Sequence, residues 1–318
     1  MAIAFDLAAQ TVQMFLVLAV APFLLGVTRM VKARLLRRIG PPPWQPYLDL
    51  WKLMHKEAVL AHNASWLYRT APYVIFAATW VAAALVPTFA TGLMFSWAAD
   101  LIALVALLAT ARFALALAGM DVGTAFGGIG SSREMMIGSL AEPAMLLVVF
   151  SVALIAGTTQ LSAIASHFID AHVGLRVSLG LALIAFVFVA VAENARIPID
   201  NPATHLELTM VHEAMVLEYS GRHLAMIEAA AAVKLVLYFS LLSCLFFPFG
   251  MATADQSLGP LTVGIVSYLG KLLVLAILLP IGETAVAKMR VFRYPIFLGG
   301  AFAAGALAVF LLFVSRSF

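Results

Sequence analysis

Cysteine occurs once in this chain of 318 residues, at Cys244 within an apolar run. A lone thiol excludes an internal disulfide and cannot by itself hold an iron–sulfur cluster, so it reads as a small buried hydrophobe. Charge is also scarce: 11% of residues are Asp, Glu, Lys or Arg, against roughly 25% in soluble domains. With 64% hydrophobic residues, a soluble globular chain is excluded. Basic residues are missing from positions 1–10. A secretory signal opens on a basic stretch, so the first apolar run reads as a retained anchor.

Complete catalytic motifs are missing too. His212-Glu213 begins like a zinc-protease helix, but Val216 stands where the second histidine is required. His205 and His212 are seven apart, a helical separation of about 10 Å and too far to share one ion. The glycines of 127–130 (GGIG) lack the Lys-Ser/Thr of a phosphate loop. They read as a helix break before a Ser131-x-x-Glu134 capping box. No Ser-His-Asp set and no nucleic-acid surface is evident, and the chain shows no repeat, low-complexity tail or interdomain linker. A single membrane domain, 1–318, is expected.

What is present is apolar length. A span needs about 20 apolar residues, and eight stretches qualify: about 11–31, 70–92, 98–118, 134–157, 175–194, 225–249, 261–282 and 294–314. The fold class is therefore an all-α integral membrane protein of about eight transmembrane helices. The first loop (32–69) and the loops after spans three, five and seven hold fifteen of the nineteen Lys and Arg, counting Arg29 with the first and Arg112 with the third. The positive-inside rule puts those loops in the cytoplasm and both termini outside, in a bacterial or archaeal inner membrane. After Gly40-Pro41-Pro42-Pro43, residues 44–57 read as an amphipathic helix. Tyr47, Leu48 and Trp51 lie on one side and Asp49, Lys52 and Lys56 on the other. It is too short to span and suits the interface, with Trp44 and Trp51 at headgroup depth.

The ionisable residues inside or beside spans carry the functional signal, because such groups are costly to desolvate. The 192–222 segment concentrates Glu193, Asp200, Glu207, Glu213 and Glu218 with His205 and His212. Glu134 and Glu142 lie two helical turns apart on one face, and Pro143 follows the second. Glu228 and Lys234 fall in span six, Lys271 in span seven, and Glu283 ends it. Together they can form a proton path from the cytoplasmic loop into the bundle. For Lys234 and Lys271 the choice between proton transfer and interhelical pairing stays open.

Several segments then match a known family in order. They are Ala33-Arg34, Arg37-Arg38-Ile39-Gly40-Pro41, Trp44-Gln45-Pro46-Tyr47-Leu48-Asp49-Leu50-Trp51-Lys52-Leu53, Ala111-Arg112-Phe113 and Gly119-Met120-Asp121-Val122-Gly123. Ser132-Arg133-Glu134, Glu142-Pro143, Glu193, Ile197-Pro198-Ile199-Asp200 and Glu218-Tyr219-Ser220-Gly221 follow. The chain resembles the membrane subunit shared by respiratory complex I (its subunit 1, or H) and the group 4 membrane-bound NiFe hydrogenases. Within that family it is most similar to the formate hydrogenlyase and hydrogenase-4 branch. Where the family's acidic loop carries two glutamates, this chain has Ala203 and His205; Glu207 still matches.

The resemblance implies a non-catalytic anchor and ion-translocating subunit of a formate- or CO-linked complex that evolves hydrogen. No cofactor is expected in this chain. The NiFe centre and iron–sulfur clusters would sit in partners: hydrogenase large and small subunits and an iron–sulfur subunit, with antiporter-like subunits alongside in the lipid bilayer. Arg34, Arg37, Arg38, Trp44, Asp49, Lys52 and Arg196 would dock the redox subunits. The alternatives are the quinone-site subunit of a complex I-like dehydrogenase and a free-standing secondary transporter. The transporter would call for an inverted repeat, and none is seen.

Overall fold

The computed structural model describes residues 2–170, 176–196, 210–252, 258–286 and 293–317. Among them are eleven α-helices, and the extended pairing is limited to two isolated bridges. In chain order they are α1 (Ala2–Leu35), α2 (Gln45–Met54), α3 (Trp66–Leu85), α4 (Leu101–Asp121), α5 (Ala125–Ala156) and α6 (Leu161–Asp170). Then come α7 (Val177–Glu193), α8 (His212–Val216), α9 (Gly221–Phe246), α10 (Leu258–Ala285) and α11 (Tyr294–Ser317).

A helix occupies each of the eight expected spans. Six of them, α1, α4, α5, α9, α10 and α11, are long and apolar enough to cross a membrane. The other two are α3, with 20 residues that include Arg69, Thr70 and Thr79, and α7, with 17. Both pack into the same bundle, α3 against α4 and α9, and α7 against α5 and α11. The centre is α9: 72% of its apolar stretch is buried against 22% for α10, and it touches α1, α2, α3, α6, α7 and α10.

Local chemistry sets the helix ends. Asp100 caps α4 by accepting from the backbone N–H groups of Ile102 and Ala103. Two helices close with Schellman turns. After α1, Arg38 N–H donates to Ala33 O and Arg37 N–H to Arg34 O, with Arg37 at φ 56°. After α7, Arg196 N–H donates to Val191 O and Ala195 N–H to Ala192 O, with Ala195 at φ 47°. The chain then folds the proline run back along α1, where a Cβ at Gly26 would collide with the Pro43 backbone.

Cross-links define two ends of the bundle. At one end Ser65 N–H donates to Asp121 Oδ2 (2.8 Å), Val59 and Ser220 exchange hydrogen bonds (2.8 and 3.0 Å), and Tyr68 and Tyr219 stack at 4.0 Å. This joins the basic first loop to the 210–221 segment. At the far end Gln13 bonds the carbonyls of Ala84 and Val86, Leu101 N–H donates to Thr159 O, and Ala90 pairs with Ala252.

One expectation is overturned. The 127–130 glycines do not break a helix, and Ser131 and Glu134 form no capping box. α5 begins earlier, at the Thr124 cap, and runs through them. The glycines serve close packing instead. A Cβ at Gly127 would strike the Gly119 carbonyl, and one at Gly130 would strike Met215 and the Val211 carbonyl. Ser131 reaches across to the Ala116 carbonyl at 2.8 Å. The short helix α6, packed on α5 and α9, lies in a stretch that reads from sequence as loop.

Candidate functional site

Four helices bring five charged side chains together inside the bundle. Arg112 of α4 is buried at 6% exposure. Its Nη1 lies 2.8 Å from Glu142 Oε1, its Nε 3.5 Å from Glu134 Oε1, and its Nη2 contacts Glu193 Oε1. Lys234 of α9 closes the set, with Nζ 2.9 Å from Glu193 Oε2. The 134/142 spacing puts both α5 carboxylates on the face turned to Arg112. Gly138, midway between them, leaves room for the guanidinium, because a Cβ there would clash with Arg112 Nη1. Glu193 arrives at the last turn of α7 and bridges the two cations.

A cavity of about 80 Å³ adjoins the cluster, lined by Arg112, Glu134, Glu193, Lys234, Asn194 and His212 among others. That is room for water among polar partners. His212 opens α8 and stands on this cavity wall, whereas Glu213 and Glu218 are exposed on the same end of the molecule. Arg133 ties the segment down by donating to the Met210 carbonyl at 2.8 Å.

A second ion group sits nearby at the loop end. Lys32 Nζ lies 2.6 Å from Glu283 Oε2, and Arg196 Nη1 lies 3.8 Å from Glu283 Oε1. Burial lowers the Arg196 pKa from the ordinary guanidinium range; Glu283 opposes that shift and Arg29 adds to it.

The sequence candidates divide accordingly. Glu134, Glu142, Glu193 and Lys234 converge, and His212 joins them at the cavity. Glu228 lies elsewhere, with Arg29 and Asp49 on a separate cavity between α1, α2 and α9. Lys271 also lies apart: its Nζ donates to the Phe247 carbonyl at 2.7 Å, at the far end of α9. Asp200, His205 and Glu207 lie outside the described residues. Of the docking candidates, Arg34, Arg37, Arg38, Trp44 and Lys52 are exposed. Asp49 is half-buried and accepts from Gln45, and Arg196 turns inward to Glu283. Arg112 was counted among loop cations; its depth inside α4 corrects that. An arginine flanked by apolar residues, in a chain with carboxylates on two other spans, was the signal available.

The NADH dehydrogenase family model matches residues 8–314. The chain belongs to that family. Among curated members it is 36% identical to hydrogenase-4 component C of Escherichia coli K12 over 278 residues, 87% of each chain. It is 32% identical to formate hydrogenlyase subunit 4 of the same organism over 279 residues, 88% of this chain and 90% of the relative. A chain of an archaeal respiratory membrane complex, the membrane-bound sulfane sulfur reductase, superposes with a TM-score of 0.76. That superposition covers 96% of this chain and 99% of the other at 22% identity, a likeness of fold. The family match spans every helix of the ion cluster, so α4, α5, α7 and α9 all belong to the shared framework.

Proposed function

We propose that this family member is the membrane-anchoring, ion-translocating subunit of a multi-subunit NiFe-hydrogenase-type complex. In this reading it couples a hydrophilic redox arm, formate- or CO-linked, to proton movement. The observation that carries the reading is the charge balance of the cluster. Three carboxylates face two cations inside an apolar bundle. With all five ionised, one negative charge is in excess, and a single proton neutralises it. Buried charge is expensive unless compensated, so the cluster has a physical reason to take up a proton and to release it when its geometry changes. His212 on the cavity wall is the entry group, since the two nitrogens of an imidazole ring can accept a proton on one side and donate one on the other.

The redox chemistry belongs to partners in this account: a large and a small hydrogenase subunit with the NiFe centre, and iron–sulfur subunits. Antiporter-like subunits flank the chain in the bilayer. The exposed residues Arg34, Arg37, Arg38, Trp44 and Lys52, with the 210–221 segment bound beside them, make the docking face. The basic loops support a cytoplasmic position for that face, in a bacterial or archaeal cell. The hydrogenase setting is supported by the two curated relatives named for hydrogenase-4 and formate hydrogenlyase.

One observation favours a second reading, the quinone-site subunit of a complex I-like dehydrogenase. A cavity of about 240 Å³ opens between α1, α2 and α9, lined by Pro22, Leu53 and Leu224 with Arg29, Asp49 and Glu228. Affinity purification of the tagged chain in mild detergent separates the two. Co-purifying subunits with stoichiometric nickel support the hydrogenase reading. Nickel-free subunits with bound quinone overturn it in favour of the second.

A further inference from the structure

A larger cavity lies further along α9, between α7, α9 and α10. It has a volume of about 380 Å³, within the roughly 300–1,000 Å³ range of ligand pockets. It exists because α7 and α10 both lean on α9 without packing closely on each other. Its walls are almost wholly hydrocarbon: Val187 and Val191 of α7, Leu235 and Leu242 of α9, Leu275 and Leu279 of α10. Leu275 and Glu283 line it eight residues apart on α10, a run of about 12 Å along the helix axis. Leu278, half-exposed on α10, is also part of its lining.

Apart from Tyr238 on α9, the polar lining gathers at one end, the loop end. Arg196, Asn194 and Glu283 line it, and Lys32 is paired to Glu283 from behind. Glu283 is buried at 5% exposure, and its Oε1 has no hydrogen-bond donor among the described residues. Among the described residues, the end therefore has two cations to one carboxylate, plus a buried acceptor without a hydrogen-bond donor.

We infer that this cavity holds one acyl chain of a membrane phospholipid whose headgroup carries N–H or O–H donors, such as phosphatidylethanolamine or phosphatidylglycerol. The phosphate answers the excess positive charge at Arg196 and Lys32. The headgroup donor answers Glu283 Oε1, the kind of buried polar atom that proteins seldom leave unpaired. A neutral quinone ring supplies no anion for the two cations. Phosphatidylcholine supplies the phosphate but no donor. The inference does not rest on the proton reading: it uses Arg196, Lys32 and Glu283 rather than the cluster around Arg112, although Asn194 lines both cavities.

The test is lipid analysis of the complex purified in mild detergent, by native mass spectrometry. Wild type should keep one phosphatidylethanolamine or phosphatidylglycerol per chain, and added phosphatidylcholine should not displace it. Gly282 lines the cavity, and a Cβ there meets nothing within 4 Å. Gly282→Phe should therefore fill the space and lower retention at least about tenfold, the equivalent of roughly 1.4 kcal/mol. Val187→Trp closes the same space from α7 and serves if Gly282→Phe fails to assemble. Arg196→Gln should weaken retention and reduce the preference over phosphatidylcholine. Equal retention in wild type and an assembled plug variant overturns the proposal. So does equal retention of phosphatidylcholine, or recovery of a quinone in place of the phospholipid.

Discussion

Arg112 holds three carboxylates from two helices while being almost wholly removed from solvent. Removing one partner of a buried ion network leaves the others uncompensated, at a cost of about 3–5 kcal/mol. Arg112→Ala is accordingly expected to lower thermal stability sharply in detergent, while Glu142→Gln, at the more open edge of the cluster, should assemble. Melting of the two purified variants checks this; equal melting temperatures would remove Arg112 from the centre of the account. The pairing of Glu134 with Glu142 was legible from their spacing, because helix periodicity dictates it. The role of Arg112 was not, since charge counting along the chain says nothing of which way a side chain near a span end turns. Lys271 shows the converse. An intramembrane lysine reads as part of a path, yet a carbonyl of a neighbouring chain turn, at Phe247, satisfies it.

The helices obey rules that the sequence exposes unevenly. Apolar length located the eight helices of the bundle, six of them long and apolar enough to cross a membrane. Glycine was misread, since the same residue breaks a helix or lets two helices touch, and only the partner decides which. Gly127→Val should cost about 1–3 kcal/mol by overpacking against the Gly119 carbonyl. A tolerated valine, seen as an unchanged melting temperature, would contradict the packing role. The Schellman turn after α7 gives the opposite sign. Ala195 sits at φ 47°, a conformation that costs a residue with a Cβ about 1–2 kcal/mol. Ala195→Gly should recover about 1 kcal/mol of that and raise the melting temperature; a lowered one would show that the turn's packing outweighs its strain. The amphipathic helix was anticipated over 44–57 and forms over Gln45–Met54, with Tyr47, Leu48 and Trp51 exposed. That exposure suits the membrane interface.

At the scale of the whole molecule, the two ends differ in chemistry. Single cysteines at Glu57 and Gln160, introduced with Cys244→Ala, should label from opposite sides of sealed vesicles. Labelling of both from one side would break the assignment of ends. The loop end carries the basic first loop, the 210–221 segment bound to it, the mouth of the Arg112 cavity and the Glu283 group. Reversing Arg37 and Arg38 to Glu should release the redox subunits while the chain still inserts, as read by co-purification. The resemblance identified the family from ordered motifs along nearly the whole chain, but motifs give no distances, and it took the fold to show that four of the proposed path residues meet. The central claim is that this meeting place carries the proton coupled to redox turnover. Glu193→Gln keeps the shape and hydrogen-bonding capacity of the group between Arg112 and Lys234 but cannot ionise. Redox-driven proton translocation by the variant complex in sealed vesicles, measured beside its dye-linked redox activity, tests the claim most directly. The account predicts retained dye activity with most translocation lost; translocation at the wild-type ratio would contradict it.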